Sequence, residues 1–218
     1  MGFVVSIGVR GLGYGPAFRL HASGSGTVAD LAAAAGVAVV GAAVAACFVG
    51  LVHGARRLVA GVPGWVRPPI GGLIVGLLAW WSAGALTFGE AQLGWISSGR
   101  LAVGVLAAAL VAKLGASAAC VATGWRGGFI IPLFFAGAAA AGLVHHAVPS
   151  ADLGVITAAC MVATCVGVTR TPVGAALVVS EMAGLTVMPT TILAALVAMA
   201  LTGRLSLITS QRARSVPA

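Results

Sequence analysis

The sequence predicts an all-α integral membrane protein in which several full-length spans are combined with short, broken or re-entrant helices. Of its 218 residues, 60% are hydrophobic and only 7% are charged, whereas about 25% of an average soluble domain is charged. Such a chain cannot cover itself with polar side chains, but a bilayer accepts the surplus apolar surface. The 32 glycines agree with this class, because small residues let membrane helices pack closely.

The net charge of the chain does not indicate nucleic-acid binding. A formal charge of +8 would suggest such a partner in a soluble protein. Here the 12 basic residues are spread thinly between apolar segments and form no continuous patch. We therefore expect no nucleic-acid partner and interpret the charge as a determinant of membrane topology.

The cysteine pattern predicts neither a metal site nor a redox motif. The spacing of a zinc or redox motif is absent. Free cysteines in apolar stretches behave as small hydrophobic side chains. We expect all four to be buried in this way: Cys47, Cys120, Cys160 and Cys165.

The first half of the chain contains two uncharged runs, 31–52 and 70–89, each long enough for the roughly 20 residues of a membrane-spanning helix. Thr27 and Asp30 precede the first run and are suited to cap a helix. Between the runs, residues 62–69 contain three prolines and an arginine. This cluster predicts a loop, because proline and glycine interrupt regular structure.

The next two helices are expected at 101–119 and 129–148. The first contains one cation, Lys113, within an apolar sequence. The glycine-rich stretch 124–128 separates the two helices, and Pro132 lies near the start of the second.

The C-terminal part of the chain is more interrupted. Residues 153–169 predict a short helix that ends before Pro172. A still shorter segment, 173–181, precedes the uncharged run 182–203, which is long enough to span. Short hydrophobic segments broken by glycine and proline are typical of transporters, in which non-helical backbone lines a cavity within the membrane.

Basic residues in short loops orient the spans, because cytoplasmic loops carry an excess of lysine and arginine. We expect residues 1–30 at the outer face and the C-terminus in the cytoplasm of a multi-pass cell-membrane protein. Two clusters, one between the first two spans and one after the last span, support this orientation: Arg56, Arg57, Arg67, Arg204, Arg212 and Arg214.

The sequence GWRGGFIIP at 124–132 is the clearest candidate for a binding site. Proline is accepted in the first turn of a helix, where its missing N–H would have no helical partner. The amides of Phe129, Ile130 and Ile131 are then free, at a helix end that carries partial positive charge. In a membrane interior this arrangement predicts an anion site built from backbone. The alternative is an ordinary helix start, for which the same pattern is common.

This loop resembles the GGxFxP signature of the CLC chloride channels and chloride/proton antiporters. Residues 170–174, RTPVG, followed by SEM at 180–182, resemble that family's R-x-P-(L/V)-x-G helix, which ends in E-M. Residues 65–77, WVRPPIGGLIVGL, are similar to its proline-led, glycine-rich helix. Three motifs in the family's order are more specific than any one of them, and the resemblance covers almost the whole chain.

CLC membrane domains consist of two inverted repeats, and the resemblance is to the second repeat with the linker before it. It implies the end of a preceding helix and an outer linker at 1–30, a CLC-like membrane half-domain at 31–203 and a short basic cytoplasmic tail at 204–218. The family's first-repeat motifs, GSGIP and GREGP, are absent from this sequence. The implied partners are therefore the lipid bilayer, chloride, and either a first-repeat half or a second copy in a homodimer.

The resemblance also implies the anion ligands. Chloride would be bound by the backbone amides of Phe129 and Ile130, although the aromatic and aliphatic residues stand in swapped order relative to the family. Gly127, Gly128 and Pro132 would shape the loop that presents these amides.

Other polar residues are less well defined by the resemblance. The family's anion-binding tyrosine has no counterpart near the end of the chain, because Tyr14 is the only tyrosine. A hydroxyl of Ser206 or Thr209 is the candidate substitute at the inner site. Arg126 either raises the local anion concentration or extends to the cytoplasmic interface.

Four further ionisable residues have alternative interpretations. Lys113 either faces a water-filled path or pairs with a carboxylate. Glu181 is expected at the membrane interface, with Arg170 as a candidate partner. His145 and His146 are expected in an outer loop, because adjacent histidines point in different directions on a helix and make a poor metal pair.

The leading functional hypothesis is chloride transport, as half of a CLC-type voltage-gated channel or antiporter, with chloride as the transported ion and no cofactor. The alternatives are a non-conducting structural membrane subunit and an inactive truncated fragment. A membrane enzyme is the weakest hypothesis, because the sequence has only 4 acidic residues and no catalytic cluster.

Overall fold

The computed structural model describes residues 26–125 and 127–203, and this part of the chain contains helices and no strand. Three helices, α1, α4 and α5, are long and apolar enough to cross a membrane. The predicted class, full spans combined with short apolar helices, is therefore confirmed. The helices are α1 (Val28–Leu58), α2 (Arg67–Trp81), α3 (Glu90–Ile96), α4 (Val103–Thr123), α5 (Ile130–Ala147), α6 (Leu153–Thr169), α7 (Pro172–Ala183) and α8 (Met188–Leu201).

Helix α6 forms the centre of the bundle. Every residue from Gly154 to Thr169 is buried, and α6 packs against α1, α5, α7 and α8. Two glycines make this packing close. A Cβ atom on Gly41 of α1 would lie 2.6 Å from the Cβ of Ala163, and one on Gly137 of α5 would lie 2.7 Å from the Cα of Met161. Small residues thus set the spacing of the helices, as in other membrane bundles.

The predicted first span is confirmed as α1. Thr27 and Asp30 form a reciprocal capping box, in which each side chain accepts a hydrogen bond from the other residue's backbone N–H. The helix continues past the apolar run to Leu58 and carries Arg56 and Arg57 in its last turn. These cations lie near the negative end of the helix dipole, which favours the extension.

The predicted loop at 62–69 is shorter than expected. Helix α2 begins at Arg67 and includes Pro68 and Pro69 in its first turn, where proline removes no helical hydrogen bond. The side chain of Arg67 donates from Nε to the Val62 carbonyl at 2.9 Å and from Nη2 to the Ala60 carbonyl at 3.1 Å. These bonds close the turn between α1 and α2.

The expectation of one span at 70–89 is wrong. Helix α2 ends at Trp81, and Ser82 is extended, with φ −148° and ψ 124°. The Ser82 hydroxyl accepts a hydrogen bond from the Gly84 N–H at 3.3 Å, and such local bonds compete with helix continuation. Positive φ angles at Thr87 (54°) and Gly89 (96°) then separate the break from α3.

The expectation of a final 182–203 span is also wrong. Helix α7 ends at Ala183, and Gly184 has a φ of 102°, which ends the helix. A single 3₁₀ turn at Leu185–Val187 leads into α8, which has Pro189 in its first turn. The result is a pair of short apolar helices in place of one spanning helix, and both are among the shorter apolar segments of the fold.

The predicted helix at 153–169 is confirmed residue for residue as α6. It begins with Asp152, whose carboxylate accepts from the Val155 N–H at 2.9 Å, and ends at Arg170, which adopts a left-handed conformation with φ 56°. The Arg170 guanidinium donates to the carbonyls of Thr202, at 3.1 Å, and Gly203. It therefore joins the end of α6 to the end of α8.

The close α5–α6 contact predicts that Gly137→Ala destabilises the fold by about 1–3 kcal/mol, because the added methyl group would overlap the backbone of Met161. The measurement is thermal unfolding in detergent followed by circular dichroism. Gly50→Ala in α1 is the matched control, since a Cβ there meets nothing within 4 Å. Equal unfolding temperatures for the two variants would contradict this description of the core.

Candidate functional site

The glycine-rich loop lies between the end of α4 and the start of α5. Helix α4 ends at Gly124, which adopts a left-handed conformation with φ 89°. The indole Nε1 of Trp125 donates to the Pro68 carbonyl at 3.0 Å and so ties the loop to the first turn of α2. The loop is therefore anchored on one side by α2 and on the other by the helix that it enters.

Among the described residues, the amides at the start of α5 have no hydrogen-bond acceptor. Phe129 is the N-cap residue, and the Leu133 N–H makes a 3.1 Å hydrogen bond to the Phe129 carbonyl. Pro132 has no N–H, and the amides of Phe129, Ile130 and Ile131 precede any helical acceptor. Three backbone donors therefore remain at the positive end of the α5 dipole.

A cavity of about 290 Å³ adjoins this helix end. Its wall combines α2, the segment between α2 and α3, which includes a 3₁₀ turn at Ala83–Ala85, the last turns of α4 and the glycine-rich loop. Of the predicted site residues, Gly127, Gly128, Phe129 and Pro132 line it, whereas Ile130 does not and has a half-exposed side chain. The other lining residues are Val75, Ala85, Thr87, Phe88, Ala116, Ser117, Cys120, Val121 and Trp125.

A comparison with known protein families tests the resemblance that the three sequence motifs carry. Residues 2–203 match the model of the voltage gated chloride channel family. The chain belongs to the voltage gated chloride channel family. No curated protein matches the chain.

Membership in the chloride channel family confirms the resemblance seen in the three motifs. Members of this family are channels and transporters, and together with the apolar helices the match identifies a multi-pass membrane protein. The roles of Phe129 and Ile130 as chloride ligands stay a prediction, to which the structure adds the free amides and the adjoining cavity.

Part of the cavity wall in this chloride channel family member consists of residues that were not predicted from the sequence. Thr87 contributes from the break after α2, and Ser117 and Cys120 contribute from α4. The α4 residues were detectable, because Lys113, Ser117 and Cys120 are spaced by four and three residues on an otherwise apolar helix. Thr87 was not, because the run 70–89 has the length and composition of an ordinary span.

Among the described side chains, Lys113 contacts no carboxylate, and it does not line the cavity. Its side chain is 1% exposed, and Nζ donates to the carbonyls of Leu86 and Thr87, both at 3.0 Å. Nζ also lies 4.7 Å from the centre of the Phe135 ring, within range of a cation–π interaction. In the described part of the chain, the hydrogen-bond partners of the ammonium are therefore the two carbonyls of the broken segment.

Several predicted polar residues lie outside the described residues: Tyr14, Arg126, Ser206 and Thr209. Within the described part of the chain, Glu181 is exposed on α7. Arg170, its candidate partner, donates to the carbonyls of Thr202 and Gly203, which directly follow α8.

The histidine pair sits at the end of α5, in its last turn, so the predicted loop position is wrong by about one turn. Nε2 of His146 lies 2.8 Å from the Leu101 carbonyl. Among the described residues, no group of three metal-ligating side chains comes together.

The cysteines are not uniformly buried. Cys160 and Cys165 are buried in α6, as expected, whereas Cys120 is half-buried and Cys47 is exposed. Cys47 lies on a face of α1 that no other described helix covers, and burial by neighbouring helices was therefore the wrong expectation for it.

The anchoring role of Trp125 predicts a change in loop dynamics. In Trp125→Phe the indole hydrogen bond to Pro68 is lost while the aromatic ring remains. We expect the amide hydrogen exchange of Leu133, which donates to the Phe129 carbonyl in the first turn of α5, to accelerate about fivefold, in line with the net strength of one hydrogen bond. Trp80→Phe is the control, because Trp80 is 94% exposed. Unchanged exchange in Trp125→Phe would show that the bond does not hold the loop.

Proposed function

We propose that this chain forms one half of a chloride-transporting membrane domain and that chloride binds at the N-terminus of α5. The observation that carries the proposal is the opening of this helix end, with its free amides, into a cavity bordered by two breaks in the helical structure. No carboxylate is among the described lining residues. The dipoles of the backbone amides therefore face an anion without a competing negative charge from these residues.

In this proposal the amides of Phe129 and Ile130 donate hydrogen bonds to chloride. Gly127 and Gly128 carry no side chain that would keep the ion from the backbone. Pro132 fixes the first turn of α5. Because partial charges bind the ion without neutralising it fully, chloride is held strongly enough to enter and weakly enough to leave.

Residues outside the described part would complete the path. Arg126 directly precedes Gly127 and would raise the local concentration of anions. A hydroxyl of Ser206 or Thr209 would serve as an inner ligand. The tail 204–218 would then lie at the cytoplasmic side.

The orientation follows from the basic residues. Arg56 and Arg57 lie in the last turn of α1, and Arg67 is the first residue of α2. The three cations therefore flank the connection between these two helices. The positive-inside rule assigns this turn, and the basic C-terminal tail, to the cytoplasm. The domain would then comprise residues 31–203, preceded by an outer linker at 1–30.

The other half of the site would come from a first-repeat unit or from a second copy of this chain. The proposal requires such a partner, because the cavity opens between α2, α4 and the loop and is not enclosed by the described residues alone. Whether the first-repeat unit is part of the same polypeptide or a separate subunit does not alter the role of α5.

The proposed function predicts chloride efflux from liposomes that contain the purified chain together with a coexpressed first-repeat CLC half. Efflux is followed with a chloride electrode after a voltage clamp by valinomycin and potassium. The chain alone, the partner half alone and empty liposomes are measured in parallel. Absence of efflux in every combination would count against transport and favour a structural membrane subunit.

A substitution in the loop tests the assigned site through its affinity for chloride. In Gly128→Val the added isopropyl group projects into open space at the cavity, since no atom lies within 4 Å of a Cβ there. We expect chloride affinity, measured by calorimetry, to fall at least about tenfold, or about 1.4 kcal/mol. Gly64→Val, in the turn before α2 and also without a neighbour within 4 Å, is the matched control. Equal affinities in the two variants would exclude the assigned site.

A further inference from the structure

Among the side chains that the structure describes, Lys113 is the only buried one with a formal charge. It lies in the middle of α4, one of the three helices long enough to span. Its ammonium is surrounded by two carbonyl oxygens and the face of Phe135. These groups stabilise a cation, because carbonyl dipoles and the aromatic face are both negative towards it.

The position of this ammonium is directly behind the cavity wall. Thr87, whose carbonyl accepts one of the hydrogen bonds, lines the cavity, and so does Ser117, one turn along α4 from Lys113. The wall at this point depends on the lysine, because the backbone at Thr87 has a positive φ of 54° and is not supported by a helix. Lys113 thus holds the non-helical segment 86–88 against α4.

A tie to two carbonyls does not require a charge, since a neutral amide could donate to them. Burying a charge without an ionic partner is unfavourable, and no carboxylate contacts Lys113 among the described side chains. The described side chains therefore supply no counter-charge to the ammonium beside the cavity. In surroundings of low dielectric constant, such a charge acts over a longer distance than in water.

We propose that Lys113 is a specificity-determining residue, whose charge makes the cavity at the start of α5 favourable for small anions and unfavourable for cations. This inference rests on the proposed function for its biological meaning. Lys113 does not touch the ion: it acts through the electrostatic potential of the cavity and through the position of segment 86–88.

Cys120 supplies a reporter inside the cavity. Its half-buried side chain lines the wall, and its reaction rate with charged thiol reagents reports the local potential. The probes are three methanethiosulfonates: the anionic sulfonatoethyl, the cationic trimethylammonioethyl and the neutral methyl compound. A Cys47→Ser background removes the exposed cysteine, and Cys160 and Cys165 are buried. Mass spectrometry measures the modification of the full chain in detergent.

Two substitutions separate charge from hydrogen bonding. Lys113→Gln keeps an N–H donor and removes the charge, whereas Lys113→Arg keeps both. Arg57→Gln removes one exposed charge from the end of α1 and is the control for net charge. Circular dichroism and thermal unfolding establish that each variant retains the fold.

We expect the ratio of anionic to cationic rates, normalised to a small free thiol, to exceed one in the parent protein. In Lys113→Gln it should fall about tenfold, because the charge acts on the two reagents with opposite sign. The ratio should change less than about twofold in Lys113→Arg, which keeps the charge, and in Arg57→Gln, which removes a charge remote from the cavity. An unchanged ratio in Lys113→Gln would overturn the proposal.

The parent protein provides a test that needs no folded variant. A preference for the cationic reagent at Cys120, or no reaction with any of the three reagents, would also overturn the proposal. These readouts do not involve chloride. A positive potential without chloride binding would therefore reject the proposed function and keep the inference. Chloride binding without a positive potential at Cys120 would reject the inference and keep the proposed function.

Discussion

The requirement that backbone groups find partners where water is scarce governs this structure. In a bilayer, non-helical backbone is accepted only where side chains or a cavity supply the missing hydrogen bonds. The chain breaks its helices after Trp81, Thr123 and Ala183, and each break exposes such groups. Two bonds from Lys113 satisfy carbonyls at the first break, and Trp125 binds the Pro68 carbonyl from the second. Among the described residues nothing accepts a hydrogen bond from the amides at the start of α5, and the proposed function assigns them to chloride.

The packing of α6 makes this arrangement rigid. Because α6 is buried along nearly its whole length, the helices around it cannot separate without exposing its surface to lipid or to a void. Gly137 brings α5 into backbone contact with α6, so the helix that offers the amides is fixed from behind. Phe135, on the same helix, lies over Lys113 and beside Gly89. Phe135 therefore connects the core to the ammonium of Lys113, which donates to the carbonyl of the lining residue Thr87.

Much of this fold could be predicted from the sequence, since charges and prolines mark the ends of α1 and α6 directly. The loop 124–132 was recognisable because glycine and proline stand at positions with a clear backbone role. The break at 82–89 was not, because its cause is partly tertiary. Ser82 competes locally for the Gly84 amide, but the carbonyls of Leu86 and Thr87 accept hydrogen bonds from Lys113, which is 27 and 26 residues away, respectively. Hydropathy does not carry that information.

Anomalous scattering by bromide tests the central claim most directly. Crystals of the chain with its proposed partner half, grown with bromide in place of chloride, would show the anion by its own signal. We predict a bromide peak within hydrogen-bonding distance of the amide nitrogens of Phe129 and Ile130, on the side that faces Thr87 across the cavity. A bromide peak elsewhere in the membrane domain, with none at the start of α5, would contradict it.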